Sequence, residues 1–99
     1  RINKMSQQLR VINNASQAVT NSSVSSSALV VPTGLIRVVA TVDSYISLTA
    51  SAATVDNTGI VIAAGAENLF VVANGSFVNG LRVGGTNGRI SITCVSLGK

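Results

Sequence analysis

The pattern of apolar and polar positions changes near Ser27, and the two parts of the chain predict different structures. After Ser27, short runs rich in Val, Ile and Leu alternate with Gly, Asn and Asp residues that form turns. Runs of this kind, roughly eight to twelve residues apart, are typical of antiparallel strands joined by short turns. We therefore expect residues 28–99 to form one small all-β domain, an antiparallel β-sandwich or a jelly-roll-like fold.

Alternation within the runs predicts which side chains face the core. In residues 35–42, Ile36, Val38, Ala40 and Val42 share one face of a strand. In the last run, residues 89–97, the shared face consists of Ile90, Ile92 and Cys94. Val95 and Leu97 fall on the opposite face, which predicts a bulge or a strand end buried on both sides.

Gly and Asn residues mark the expected turns between these runs. Asn74-Gly75 and Asn79-Gly80 are turn signals, and residues 84–88 read as a hairpin loop. Phe77 would then lie in a loop between two turns, where it could be exposed.

Residues 1–27 predict an N-terminal arm followed by a polar tether. Alternating spacings of three and four separate a set of positions occupied by Ile2, Met5, Leu9, Ile12, Ser16 and Val19. This spacing fits a short amphipathic helix, whereas Asn13, Asn14 and the short length favour an extended arm that binds a partner. Both alternatives make the segment an interaction element. Residues 20–27 are low-complexity and polar, as expected of a tether.

The size and composition of the chain favour assembly with other subunits. A domain of about 70 residues has a small core, and such domains commonly need disulfides, metals or oligomerisation. Cys94 is the only cysteine and the chain has no histidine, which leaves oligomerisation. Only 10% of the residues are charged. A surface of Ser, Thr, Asn and Gly is poorly protected against association, so we expect much of it to face other protein.

The chemical groups in the sequence do not predict an enzyme. The three acids, Asp43, Asp56 and Glu67, each fall at a predicted turn, and no histidine could act as a base. We expect no cofactor, no metal and no small-molecule substrate, although a calcium site shared between subunits stays an alternative.

The charge and hydropathy of the chain predict no nucleic-acid or membrane partner. The formal charge is +4, and Arg1, Lys4 and Arg10 contribute to it without forming a basic cluster. Nucleic-acid sites usually interleave such clusters with aromatic residues. No apolar run reaches the roughly 18 residues that a membrane span requires.

Several motifs resemble those of small tailed-bacteriophage virion proteins of the capsid decoration, or cement, type. The matching stretches are Pro32-Thr33-Gly34, Arg37-Val38-Val39-Ala40-Thr41, Asp43-Ser44-Tyr45-Ile46, Ala64-Gly65-Ala66-Glu67-Asn68-Leu69-Phe70-Val71-Val72 and Gly88-Arg89-Ile90-Ser91-Ile92-Thr93. From the first to the last, these stretches span about two thirds of the chain, and they exclude the arm.

The resemblance implies a virion protein, often trimeric, on the exterior of an icosahedral head. Its partner would be the major capsid protein. Related small β proteins also occur at the head–tail neck and in tail fibres, so these placements stay open. A receptor- or glycan-binding module on a fibre is the alternative from a different functional class, with Phe77 as its platform.

The interaction residues are expected in the arm and on the outward faces of strands. Arginines on a strand face would pair with carboxylates of a capsid protein or a neighbouring subunit. The predicted set is Ile2, Met5, Leu9, Arg10, Ile12, Val19, Arg37, Arg82 and Arg89.

Overall fold

A computed structural model describes the backbone of residues 9–97 and the side chains of residues 10–96. This part of the chain is all-β and contains no helix, so no described helix could cross a membrane. Its strands are β1 (Leu9–Val19), β2 (Val24–Ser25), β3 (Leu35–Ala40), β4 (Ser44–Thr49), β5 (Ile60–Ile62), β6 (Asn68–Val71), β7 (Phe77–Arg82) and β8 (Gly88–Leu97).

The strands form two antiparallel sheets of four strands each. The first sheet has the order β1-β8-β3-β6, and the second has the order β2-β7-β4-β5. Strands β7 and β8 therefore belong to different sheets. The prediction of a hairpin loop at residues 84–88 is wrong, because this segment crosses from one sheet to the other.

Strand β1 differs most from the sequence-based expectation. It pairs with β8 from Leu9↔Leu97 to Val19↔Gly88, with a bulge between Val11 and Asn13. The helical alternative is therefore wrong for residues 9–19. Strand β2 also lies within the predicted arm and tether, and it pairs with β7. The sheets therefore already include residues 9–19 and 24–25, which precede the predicted boundary after Ser27.

One core cluster contains buried side chains from both sheets. The predicted inward faces of β3 and β8 are confirmed, since Ile36, Val38, Ala40, Ile90, Ile92 and Cys94 are all buried. The second sheet contributes Ile46, Ile62 and Val78. Leu29 and Val31 also join the cluster, although they lie outside the strands.

The Asn79-Gly80 dipeptide is not a turn, because both residues lie inside β7. A Cβ atom on Gly80 would come within 2.8 Å of Ile90 Cδ1 and 3.3 Å of Gln17 Nε2. The glycine therefore permits a close approach between the two sheets. By contrast, Gly75 has a φ of 88° at a turn, as its Asn-Gly signal predicted.

Candidate interaction surface

A row of aliphatic side chains crosses the outer face of the first sheet. Register places Val71 of β6 opposite Leu35 of β3, and Val95 of β8 opposite Val11 of β1. Because Ile36 pairs with Cys94, the preceding Leu35 lies beside Val95. We call these four residues the aliphatic row.

Exposure within the aliphatic row is greatest at its two ends. Val71 is 86% exposed and Val11 is 64% exposed, whereas Val95 near the middle is only 1% exposed. Leu69, one position along the same face of β6, is 50% exposed. The exposed apolar area is therefore concentrated on β1 and β6, the two edge strands of the first sheet.

The second sheet has its own apolar edge. Val61 of β5 is 62% exposed, and Ile60 beside it is also exposed. Strand β5 is the edge of that sheet, next to β4. This apolar patch is confined to one strand of 3 residues, whereas the aliphatic row crosses four strands.

The three predicted arginines in the sheets occupy different local settings. Arg37 Nε donates to Glu67 Oε2 in an exposed ion pair. Arg82 Nη1 donates to Asn87 Oδ1 at 2.6 Å, and Arg89 Nη2 donates to Ser16 Oγ at 2.9 Å. Arg37 lies on β3 and Arg89 lies on β8, both in the first sheet, whereas Arg82 lies on β7 of the second sheet.

The predicted arm residues that the structure describes differ in exposure. Ile2 and Met5 lie outside the described residues, and of Leu9 only the backbone is described. Arg10 and Ile12 are exposed on β1, as the interaction hypothesis requires. Val19 is the exception. It is 0% exposed in the core of its own chain, so placing it on a partner's surface was wrong.

Three exposed apolar residues of the first sheet, Val11, Leu69 and Val71, were not among the predicted interaction residues. The outward positions of Leu69 and Val71 could not be predicted, because residues 69–72 are all apolar and their pattern does not distinguish an inner from an outer face. The arginines stood out in the sequence only because charge marks an outward position.

Each of the three acids has a local partner. The Asp43 carboxylate accepts a hydrogen bond from the Ala64 N–H at 2.8 Å, and Glu67 pairs with Arg37. The hydroxyl and then the backbone N–H of Thr58 donate to the Asp56 carboxylate and lower the pKa of that group. Within residues 9–97, His, Cys, Asp and Glu nowhere gather in threes as a metal site would need.

An open cavity of about 360 Å³ lies where the chain crosses between the sheets. Its lining includes Asp43, Ala64 and Thr86. The Asp43 carboxylate is the one ionisable group there, and it is already bonded to the Ala64 N–H. This arrangement offers no pair of groups for acid–base chemistry.

Two residues singled out in the sequence lie inside the fold. Cys94 is buried, as its inward position predicted, and its sulfur lies 3.7 Å from Thr33 Oγ1. Phe77 is half-buried in β7 opposite Thr49, so its predicted loop position is wrong. A flat exposed aromatic platform for a sugar is therefore not formed by Phe77.

No family model matches this chain, and neither a curated protein nor a solved structure gives a significant match.

Proposed function

We propose that the chain is a structural protein of a bacteriophage virion, a decoration or cement protein that binds the major capsid protein on the exterior of the head. In this proposal the two sheets pack as a β-sandwich, the protein forms a trimer, and no catalysis is involved. The resemblance of residues 32–93 to small virion proteins provides the starting point.

One observation carries the proposal: aliphatic side chains are exposed on both edge strands of the first sheet. Val11, Leu69 and Val71 are each at least half exposed on the two edge strands of that sheet. Leu69 and Val71 are neighbours on one face of β6, and clustered exposed apolar groups on a small protein usually mark a protein-binding surface. The chain also has few charges to discourage such contacts.

The mechanism is the addition of contact area over a repeating lattice. Each aliphatic side chain contributes about 1.5–3 kcal/mol when it is fully buried at a contact. Several linked contacts on one oligomer then reinforce each other, because the later contacts form at a high effective concentration. Arg89, whose guanidinium bonds only the Ser16 hydroxyl among described side chains, supplies a cation for a carboxylate of the capsid protein.

Copy number in purified virions tests this function. A decoration protein is expected in hundreds of copies per particle, measured by quantitative gel against the major capsid protein. Six or twelve copies would indicate a neck protein and would contradict the proposal.

Binding to empty capsids provides the second test. The purified chain is expected to sediment with the empty heads of the phage that encodes it and to raise their melting temperature. Arg89→Ala, which leaves the aliphatic side chains of the edge strands unchanged, should bind less, whereas a Val61→Ser control on the other sheet should bind equally. Binding to a glycan array without binding to heads would favour the fibre alternative.

A further inference from the structure

We propose that copies of this chain join head to tail, with β6 of one copy adding to β1 of the next copy, so that three copies close a ring. The proposal rests on the trimer assumed in the proposed function. It adds which strands meet and which side chains they bury.

The first argument concerns hydrogen bonding along the edges. Strands β1 and β6 are the two edges of the first sheet. Beyond their sheet partners, no other backbone bonds reach residues 10–18 of β1 or residues 68–71 of β6 among the described residues. Unpaired N–H and C=O groups of this kind are a template for a further strand.

The second argument concerns strand direction. Each neighbouring pair in the first sheet is antiparallel, and the sheet has four strands. With an even number of alternating strands, the two edges run in opposite directions. A copy rotated about an axis parallel to the strands therefore meets its neighbour in antiparallel pairing, without any rearrangement.

The third argument concerns the side chains. Val71 and Val11 are the two ends of the aliphatic row, and they lie on opposite edges. Head-to-tail pairing continues the row from Val71 of one copy to Val11 of the next, where Ile12 adds further apolar area. If β1 instead paired with β1 of a second copy in a register centred on Asn14, Val11 would lie opposite Gln17. An apolar side chain would then face a polar one.

Charge and area favour a closed ring over a simple dimer. Strand β6 has no charged residue and β1 has only Arg10, so the pairing opposes no like charges. A contact through the 4 residues of β6 falls well below the roughly 1,200 Å² that a stable pair buries. In a closed ring each copy makes two such contacts, and no edge of the first sheet stays open.

Cysteine cross-linking of the full chain tests this arrangement. Directly opposite residues of antiparallel strands are close enough for a disulfide. Mild oxidation of a variant with both Val71→Cys and Val11→Cys should give a covalent trimer on a non-reducing denaturing gel. Each single variant should stay monomeric on the same gel. A covalent dimer from Val71→Cys alone would mean that β6 pairs with β6, and would overturn the proposal.

Native mass spectrometry without cysteines gives an independent measurement. The wild-type chain should appear as a trimer. The ratio of monomer to trimer should be at least tenfold higher for Val71→Lys than for the wild type. Val61→Lys on the second sheet is the matched control and should stay trimeric. A wild-type chain that is monomeric, or a Val71→Lys variant that is still trimeric, would contradict the ring. Because these measurements need no particles, a trimer that ignores capsids would disprove the proposed function and leave the ring intact.

Discussion

Asn79 is the buried polar residue on which the second sheet depends most. Its Oδ1 accepts hydrogen bonds from Ser25 Oγ and the Ala53 N–H, and its Nδ2 donates to Ser47 Oγ and Thr49 Oγ1. The side chain therefore connects β2, β4 and β7 with the loop at Ala53. A buried amide with all these partners gives the sheet one specific arrangement.

We expect Asn79→Ala to lower the free energy of unfolding by about 2–3 kcal/mol, because it leaves buried partners without hydrogen bonds. Urea denaturation measures this change. Asn21→Ala, at an exposed position, should change the midpoint little. Equal midpoints for the two variants would show that the Asn79 network contributes no stability.

Gly88 is required by close packing rather than by its backbone conformation. A Cβ atom there would lie 2.5 Å from Thr41 Oγ1 and 2.8 Å from Val42 Cγ2. Thr41 is held in place, because its hydroxyl accepts a hydrogen bond from the Arg89 N–H at 3.0 Å. We expect Gly88→Ala to destabilise the fold by about 1–3 kcal/mol. Gly84→Ala, where a Cβ meets nothing, should leave the thermal midpoint nearly unchanged.

Asp56 is expected to titrate below an ordinary aspartate. The hydroxyl of Thr58, followed by its backbone N–H, lowers the pKa of Asp56 from 3.8. Since the folded pKa lies below the unfolded one, the stabilisation is present above the unfolded pKa and disappears as the pH falls through the folded pKa. Thr58→Val should raise the pKa of Asp56, as measured by NMR titration of its carboxyl carbon. An unchanged pKa would mean that the hydroxyl has no influence.

Single residues show where the sequence was informative and where it was not. Ile36, Val38, Ile90 and Cys94 were predictable as core residues, because each alternates with a polar neighbour. The outward position of Val71 was not predictable, because its neighbours along the strand are apolar too. Asn79 was misread as a turn residue, since the Asn-Gly signal does not reveal that other strands supply its hydrogen bonds.

Strand β1 is the element whose role the structure changes most. The sequence assigned it to an N-terminal interaction arm outside the β domain. In the structure it pairs with β8 along nearly its whole length and contributes Val19 to the core.

Two deletion variants distinguish the predicted interaction arm from a strand that the fold requires. Deleting residues 1–19 removes β1 and uncovers the edge of β8, so we expect a chain that does not fold cooperatively in circular dichroism melts. Deleting residues 1–8 leaves every described strand and should keep a cooperative transition, with weaker binding to heads if Ile2 and Met5 contact the capsid. Cooperative melting of the longer deletion would restore the original arm hypothesis.

Elements were predictable where a strand supplies its own pattern. Strands β3, β4 and β8 follow the alternation of their residues. Strand β1 was missed, because Asn13, Asn14 and Ser16 occupy exposed edge positions and the remaining apolar residues happen to follow a helical spacing. Its structure is decided by pairing with β8, at the other end of the chain, which local patterns do not encode.

At the scale of the whole molecule, the sequence predicted an all-β domain but not how its strands divide between sheets. The crossing between β7 and β8 was read as a hairpin, because a glycine-rich segment fits either connection. The outward arginines were predictable from charge, whereas the aliphatic row required the register of four strands. An interaction surface made by distant segments becomes visible only once the sheet order is known.

The pairing of Leu9 with Leu97 has a practical consequence for anyone labelling this protein. Because Leu9 and Leu97 lie side by side, a label attached at position 9 or at position 97 would mark the same pole. The glycine-rich crossing before β8 lies at the far end of that 10-residue strand, about 30 Å away. A small epitope inserted at Gly85 would therefore mark the opposite pole, and comparing the two placements by electron microscopy would reveal which pole faces the particle.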